Sequence, residues 1–156
     1  MKKTNAMRIL DSKKIKYAIK EYEVNEDDLG AVAVAAKTGI DIDRIYKTLV
    51  LKGDKKGYIV ACIPGGSELD LKALAKVSGN KRVEMIAVKD LEKLTGYIRG
   101  GCSPLGMKKL LPTYIDEPAK EYDTIVVSGG KRGLQIEVSP YDLANTVRGE
   151  FPKISF

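Results

Sequence analysis

Apolar residues recur along this chain at two spacings, and each switch between them marks a new element. Between Asn5 and Lys13, Ala6, Ile9 and Leu10 fall at helical intervals behind Thr4, a residue suited to cap a helix start. Tyr17 to Tyr22 then alternates as a strand does. An alanine-rich stretch from Leu29 to Lys37, closed by Thr38 and Gly39, predicts a helix with a glycine stop, and Asp41 to Arg44 adds another turn. Two strands follow, Ile45 to Lys52 and Tyr58 to Ile63, and the glycine-bearing segment Gly53–Gly57 between them predicts a hairpin. After the breaker Pro64-Gly-Gly-Ser comes an amphipathic helix, Leu69 to Val77, ending at Ser78-Gly79. Val83 to Val88 reads as a strand, Lys89 to Leu94 as a helix, and Leu111 to Ile115 as a short edge strand that tolerates its proline. A second hairpin pairs Thr124–Val127 with Leu134–Val138, and Ser139-Pro-Tyr-Asp opens a last helix with a serine cap and a proline at its first position.

Six or seven strands and four or five helices, mixed rather than strictly alternating, predict an α/β (mixed α+β) single domain spanning residues 1–156. Hairpins exclude an all-parallel sheet. The expected architecture is a mixed, mostly antiparallel, barrel-like sheet with helices packed outside it.

Composition narrows the chemistry. No apolar run approaches the roughly 20 residues that span a bilayer. The N-terminal MKKTNAMRIL has two lysines and no apolar core behind them, so neither export nor a membrane is expected and a cytoplasmic location is. The net charge of +6 favours an anionic partner, of which nucleic acid is the usual one. There is no histidine, which removes Ser-His and Cys-His nucleophiles, imidazole acid–base catalysis and His-ligated zinc. Cys62 and Cys102 stand too far apart for a metal knuckle and are too few for a disulfide framework. No metal or cofactor is expected.

Three features stand out of phase or pattern. On the first long strand Lys47 shares a face with Ile45, Leu49 and Leu51. Its ammonium either snorkels at the strand end or projects into a pocket, where it needs an anionic or carbonyl partner. The segment Gly96–Gly106, GYIRGGCSPLG, matches no phosphate-loop pattern, and Cys102 has no histidine to activate it. It is a plain turn or a loop whose amides approach a ligand. Ser128–Gly133, SGGKRG, is either a turn with solvated charges or a third wall of the same pocket.

Taken in order, YKTL (Tyr46–Leu49), ELDLK (Glu68–Lys72), KRVEM (Lys81–Met85), TGY (Thr95–Tyr97), GGCSPLG (Gly100–Gly106) and VSGGKRGL (Val127–Leu134) resemble the YbaK/ProX/EbsC-like family over nearly the whole chain. The likeness is to its YbaK branch, the Cys-tRNA deacylases. It implies the barrel-like fold of the editing domain inserted in some bacterial prolyl-tRNA synthetases. It also implies trans-editing: cleavage of the ester joining a wrong amino acid, cysteine in this branch, to the terminal adenosine of proline tRNA. The implied partners are the aminoacyl-tRNA acceptor end and prolyl-tRNA synthetase. Lys47 falls on the family's essential lysine and Gly101 on its glycine-loop backbone contact. Ser128 falls on its hairpin serine and Tyr22 on a pocket tyrosine. Tyr46, Thr48, Gly100, Ser103, Gly129 and Lys131 complete the expected substrate-binding set. Two positions depart, Leu29 where the branch tends to have phenylalanine and Gln135 where aspartate is frequent, and both bear on substrate choice. In this family the substrate's own thiol is thought to attack the ester carbonyl, which makes Cys102 a bystander. Two alternatives stay open: a ProX-like deacylase for alanine or another small amino acid, and a non-catalytic binding module on the same fold.

Overall fold

The computed structural model describes residues 2–156 and contains five helices and seven strands. Helix α1, Asn5–Ser12, starts where Thr4 Oγ1 accepts from the Met7 amide at 3.3 Å and buries Ala6, Met7 and Leu10. Strand β1 is Tyr17–Glu21. Helix α2, Ala31–Thr38, begins after Gly30, so Leu29 is left on the incoming loop, and it stops at Gly39 with φ of 73°. A turn of 3-10 helix, Ile42–Arg44, leads into the hairpin of β2, Tyr46–Gly53, and β3, Gly57–Pro64.

Helix α3, Leu71–Val77, starts two residues later than the apolar spacing predicts. Asp70 takes the capping position and accepts from the Ala73 amide at 3.1 Å, while Leu69 bridges to Ser155. Strand β4 is Val83–Met85 and helix α4 is Val88–Thr95. Strand β5, Thr113–Ile115, runs parallel to β3 at the sheet edge. Pro112 lies just outside it and contributes only its carbonyl, which accepts from the Val60 amide at 2.9 Å. A second 3-10 segment, Glu117–Glu121, precedes β6, Ile125–Ser128, β7, Leu134–Val138, and the closing helix α5, Pro140–Val147.

The strands form two sheets rather than one closed barrel. One has the order β4-β2-β3-β5 and the other β1-β7-β6; every pairing is antiparallel except β3 with β5. A parallel bridge between Ile45 and Val126 joins them at one corner. The main core fills the space between the sheets, with Tyr46, Val50 and Cys62 from one, Val127, Leu134 and Ile136 from the other, and Leu10 and Leu143 from the helices. On the opposite face of the four-stranded sheet, Leu51, Ile59, Ala61 and Ile63 pack against Leu74 of α3. Alternation along β2 decides which residues face which core.

Asp116 secures the C-terminal segment. It is fully buried, accepts from the Ile154 amide at 2.9 Å and is hydrogen-bonded by the Ser155 hydroxyl. Removing the carboxylate strands those donors, so Asp116→Ala is expected to lower stability by about 2–3 kcal/mol, read from the urea unfolding midpoint. No helix among the described residues is long and apolar enough to cross a membrane.

Candidate functional site

A cavity of about 320 Å³ opens where the two sheets meet, and three segments distant in sequence wall it. Strand β2 contributes Tyr46, Lys47, Thr48 and Leu49; the glycine loop contributes Arg99, Gly100 and Cys102; the β6–β7 hairpin contributes Ser128 and Gln135. Leu29, Ala31 and Val34, from the start of α2 and the loop before it, supply an apolar side. Among the described residues, no aspartate or glutamate lines the cavity.

Lys47 is half-buried, and its ammonium donates to the Gly65 carbonyl at a long 3.4 Å. The ion pairs among the described residues are Lys3–Asp11, Arg44–Glu137 and Arg132–Glu26, so Lys47 has no carboxylate partner there. A half-desolvated ammonium with one weak acceptor favours an anionic ligand. Next along the strand, Thr48 Oγ1 is buried with no hydrogen-bond partner among the described residues, and so is the Tyr46 hydroxyl. Burial pushes the Tyr46 phenol far above its usual range, with the Asp116 carboxylate adding to the effect, so Tyr46 is a core residue whose ring does not ionise.

The two glycine-rich loops meet. A Cβ at Gly101 would stand 2.9 Å from Lys131 Cα and 3.0 Å from the Arg132 nitrogen, so glycine is needed for the loops to touch. Arg132 Nε also donates to the Arg99 carbonyl at 2.9 Å. Gly100, at φ of 85°, occupies the left-handed region and packs beneath Leu29.

Several expected site residues sit elsewhere. The Gly101 amide, expected to face substrate, instead donates to the Ile98 carbonyl at 2.9 Å, a turn bond that keeps it from a ligand. Ser103 is fully buried, and its hydroxyl accepts from the Leu105 amide at 3.2 Å to shape the loop. Gly129 closes the hairpin through its bond to the Leu134 carbonyl at 2.8 Å, and its own carbonyl accepts from Thr4 Oγ1 at 2.6 Å. The Lys131 side chain is exposed outside the cavity. Tyr22 packs behind the wall on the small cluster of Val34, Ile45 and Val126. Conversely, Arg99 is a second cation on the cavity wall that the sequence does not mark, because one sequence does not reveal which way a loop side chain turns.

Cys102 is 8% exposed, and burial pushes its thiol up to about 11, with the Thr95 hydroxyl pulling partly back. Near neutral pH it is a protonated, weak nucleophile. Cys102→Ala is therefore expected to retain most activity, with a pH–rate profile between pH 6 and 8.5 that superimposes on wild type; near-total loss would make the protein thiol part of the chemistry.

The chain is similar to several known proteins. EbsC of Enterococcus faecalis, named as a candidate Cys-tRNA(Pro)/Cys-tRNA(Cys) deacylase, is 55% identical over 153 residues, covering 98% of this chain and 93% of that protein. A proline–tRNA ligase of Sulfurihydrogenibium is 32% identical over 127 residues, which cover 75% of this chain but 22% of the ligase. The crystal structure of a candidate trans-editing enzyme for prolyl-tRNA synthetase superposes with a TM-score of 0.82 at 23% identity, covering 100% of this chain and 99% of that one. The aminoacyl-tRNA editing domain family matches residues 26–146, and the chain belongs to that family.

Proposed function

We propose that the protein is a cytoplasmic trans-editing deacylase that cleaves the ester of mischarged tRNA, with Cys-tRNA(Pro) as its substrate and prolyl-tRNA synthetase as its working partner. The observation that carries this reading is the Lys47 ammonium, unpaired by any carboxylate on the wall of a cavity too small for more than one end of a large ligand. Lys47 holds the phosphate or ribose of the terminal adenosine. The aminoacyl end carries a cationic amine, so it turns away from Lys47 and Arg99 toward the apolar side formed by Leu29, Ala31 and Val34. Thr48, Ser128 and Gln135 offer neutral donors and acceptors to the ribose hydroxyls and the amine.

The reaction needs no protein nucleophile. The substrate cysteine's sulfur attacks its own carbonyl carbon, a C–S bond forms, and the ester C–O bond breaks. The thiol proton passes to the departing ribose oxygen. A cyclic thiolactone leaves, and water opens it to free cysteine. What the protein contributes is position and electrostatic hold on the leaving side. Gly101 acts by letting the two loops close, since its amide is already engaged.

The test is turnover: cysteine-derived product released from Cys-tRNA(Pro) with enzyme far below substrate, with and without prolyl-tRNA synthetase. Many cycles per protein are expected. No turnover under either condition would reduce the protein to a binding module.

A further inference from the structure

At the far end of β2, away from Lys47, lies a second cavity of about 490 Å³ between the start of α3 and strand β4. Lys52, Lys72, Lys81 and Arg82 line it, with Asp54 and Glu84 as the acids among them. Lys55, Lys56 and Lys76 stand on the adjoining turn and helix, and all seven cations are exposed. None joins an ion pair among the described residues. Asp54 is turned to backbone work instead, accepting from the amides of Lys81 at 2.9 Å and Arg82 at 3.2 Å. Seven cations against Asp54 and Glu84 leave this end with a strong local positive excess.

The backbone that presents these cations is fixed. The Asp54 amide returns a bond to the Arg82 carbonyl at 3.1 Å. Asn80, itself buried, uses its side-chain carbonyl to accept from Lys55 at 3.0 Å and Lys56 at 2.8 Å. The β2–β3 turn and the α3–β4 loop therefore behave as one unit. A prearranged groove of unpaired cations matches a polyanion with regularly spaced charges.

The position of the groove selects the polyanion. Lys47 shares with Leu49 and Leu51 the sheet face on which α3 packs, and the groove opens beside the start of α3. The stretch of β2 from Lys47 to Gly53 separates the two sites. That is about 20 Å at ~3.3 Å per residue, or roughly six stacked nucleotides of one strand at ~3.4 Å each.

We infer that this groove is the seat of the tRNA acceptor-stem phosphates, held while the 3′ end runs along β2 to the Lys47 cavity. The inference rests on the editing reading for the identity of the RNA. Such contacts position a strand without reading its sequence.

Its test is titration of uncharged tRNA with the full chain over a range of salt concentrations, which does not depend on catalysis. Wild type is compared with Lys72→Glu/Lys81→Glu/Arg82→Glu and with a control of equal charge change, Lys13→Glu/Lys16→Glu/Lys20→Glu, at the C-terminal cap of α1, in the loop after it and on β1. Circular dichroism checks folding. The groove variant is expected to bind at least ~10-fold more weakly, with a log–log salt slope shallower by about 2. The control is expected to lose much less. Equal losses in both variants, or none in the groove variant, overturn the inference. A loss seen only with prolyl-tRNA synthetase present also overturns it and assigns the groove to that protein. Deacylation of a cysteinylated CCA trinucleotide, too short to reach the groove, should be unchanged in the groove variant. If wild type cleaves neither that fragment nor whole Cys-tRNA(Pro), the editing reading fails while the titration still decides the groove.

Discussion

Lys47→Ala is expected to cut deacylation of Cys-tRNA(Pro) by roughly 100-fold or more, the loss typical when one preorganised donor to developing charge is removed. The change should leave the fold intact. Lys47 is half-buried, its one hydrogen bond is the long contact to the Gly65 carbonyl, and it forms no ion pair among the described residues. Lys47→Met keeps most of the aliphatic stem and removes only the charge. If the ammonium does the work, methionine should be as inactive as alanine, with unfolding midpoints near wild type in both. An active methionine variant would show that the stem, not the charge, matters.

Gly101→Val carries the second large effect, and for a steric reason. The added Cβ would press on Lys131 Cα and the Arg132 nitrogen, backbone atoms that cannot rotate aside. The two loops must separate, at about 1–3 kcal/mol of stability. Because Gly100 and Cys102 line the cavity on one side and Ser128 on the other, separation also opens the cavity. Displacing its wall by an ångström is expected to cost about 100-fold in kcat/KM. Gly101→Ala should fall between wild type and valine on both scales. Wild-type activity in the valine variant would mean that loop contact is irrelevant to the site.

Much of the fold was legible because it rests on local periodicity and punctuation. The register of β2 and β3, the caps at Thr4 and Ser139 and the glycine stop of α2 are all short-range consequences of residue type. Where the boundary of α3 moved, the cause was long-range: Leu69 was drawn into a bridge with Ser155, and Asp70 became the cap. The division of the strands into two sheets that meet at the Ile45–Val126 corner was also beyond local pattern, since it depends on residues about 80 positions apart.

For the site, strand phase put Lys47 among large aliphatics, and the structure places it on a cavity wall that Leu49 shares. Composition also marked the two glycine loops, but not that they touch or how each amide is used. The roles expected for Gly101 and Ser103 ran into the same limit. A glycine and a serine in a suggestive loop are equally good at serving the loop itself, and here the Gly101 amide and the Ser103 hydroxyl do so. The second basic groove was hidden for a different reason. Its cations come from β2, α3 and the α3–β4 loop, so they form no run in the sequence.

If the protein positions an ester while the substrate's own thiol cleaves it, only a thiol-bearing amino acid should be released quickly. The most direct measurement is the rate of amino-acid release from Cys-tRNA(Pro), Ser-tRNA(Pro) and Ala-tRNA(Pro) under identical conditions with catalytic amounts of protein. Cysteine should be released rapidly, and serine and alanine at rates near the uncatalysed background. Alanine released as fast as cysteine would rule out cleavage by the substrate's thiol, because the nucleophile would then have to come from the protein or from water it activates.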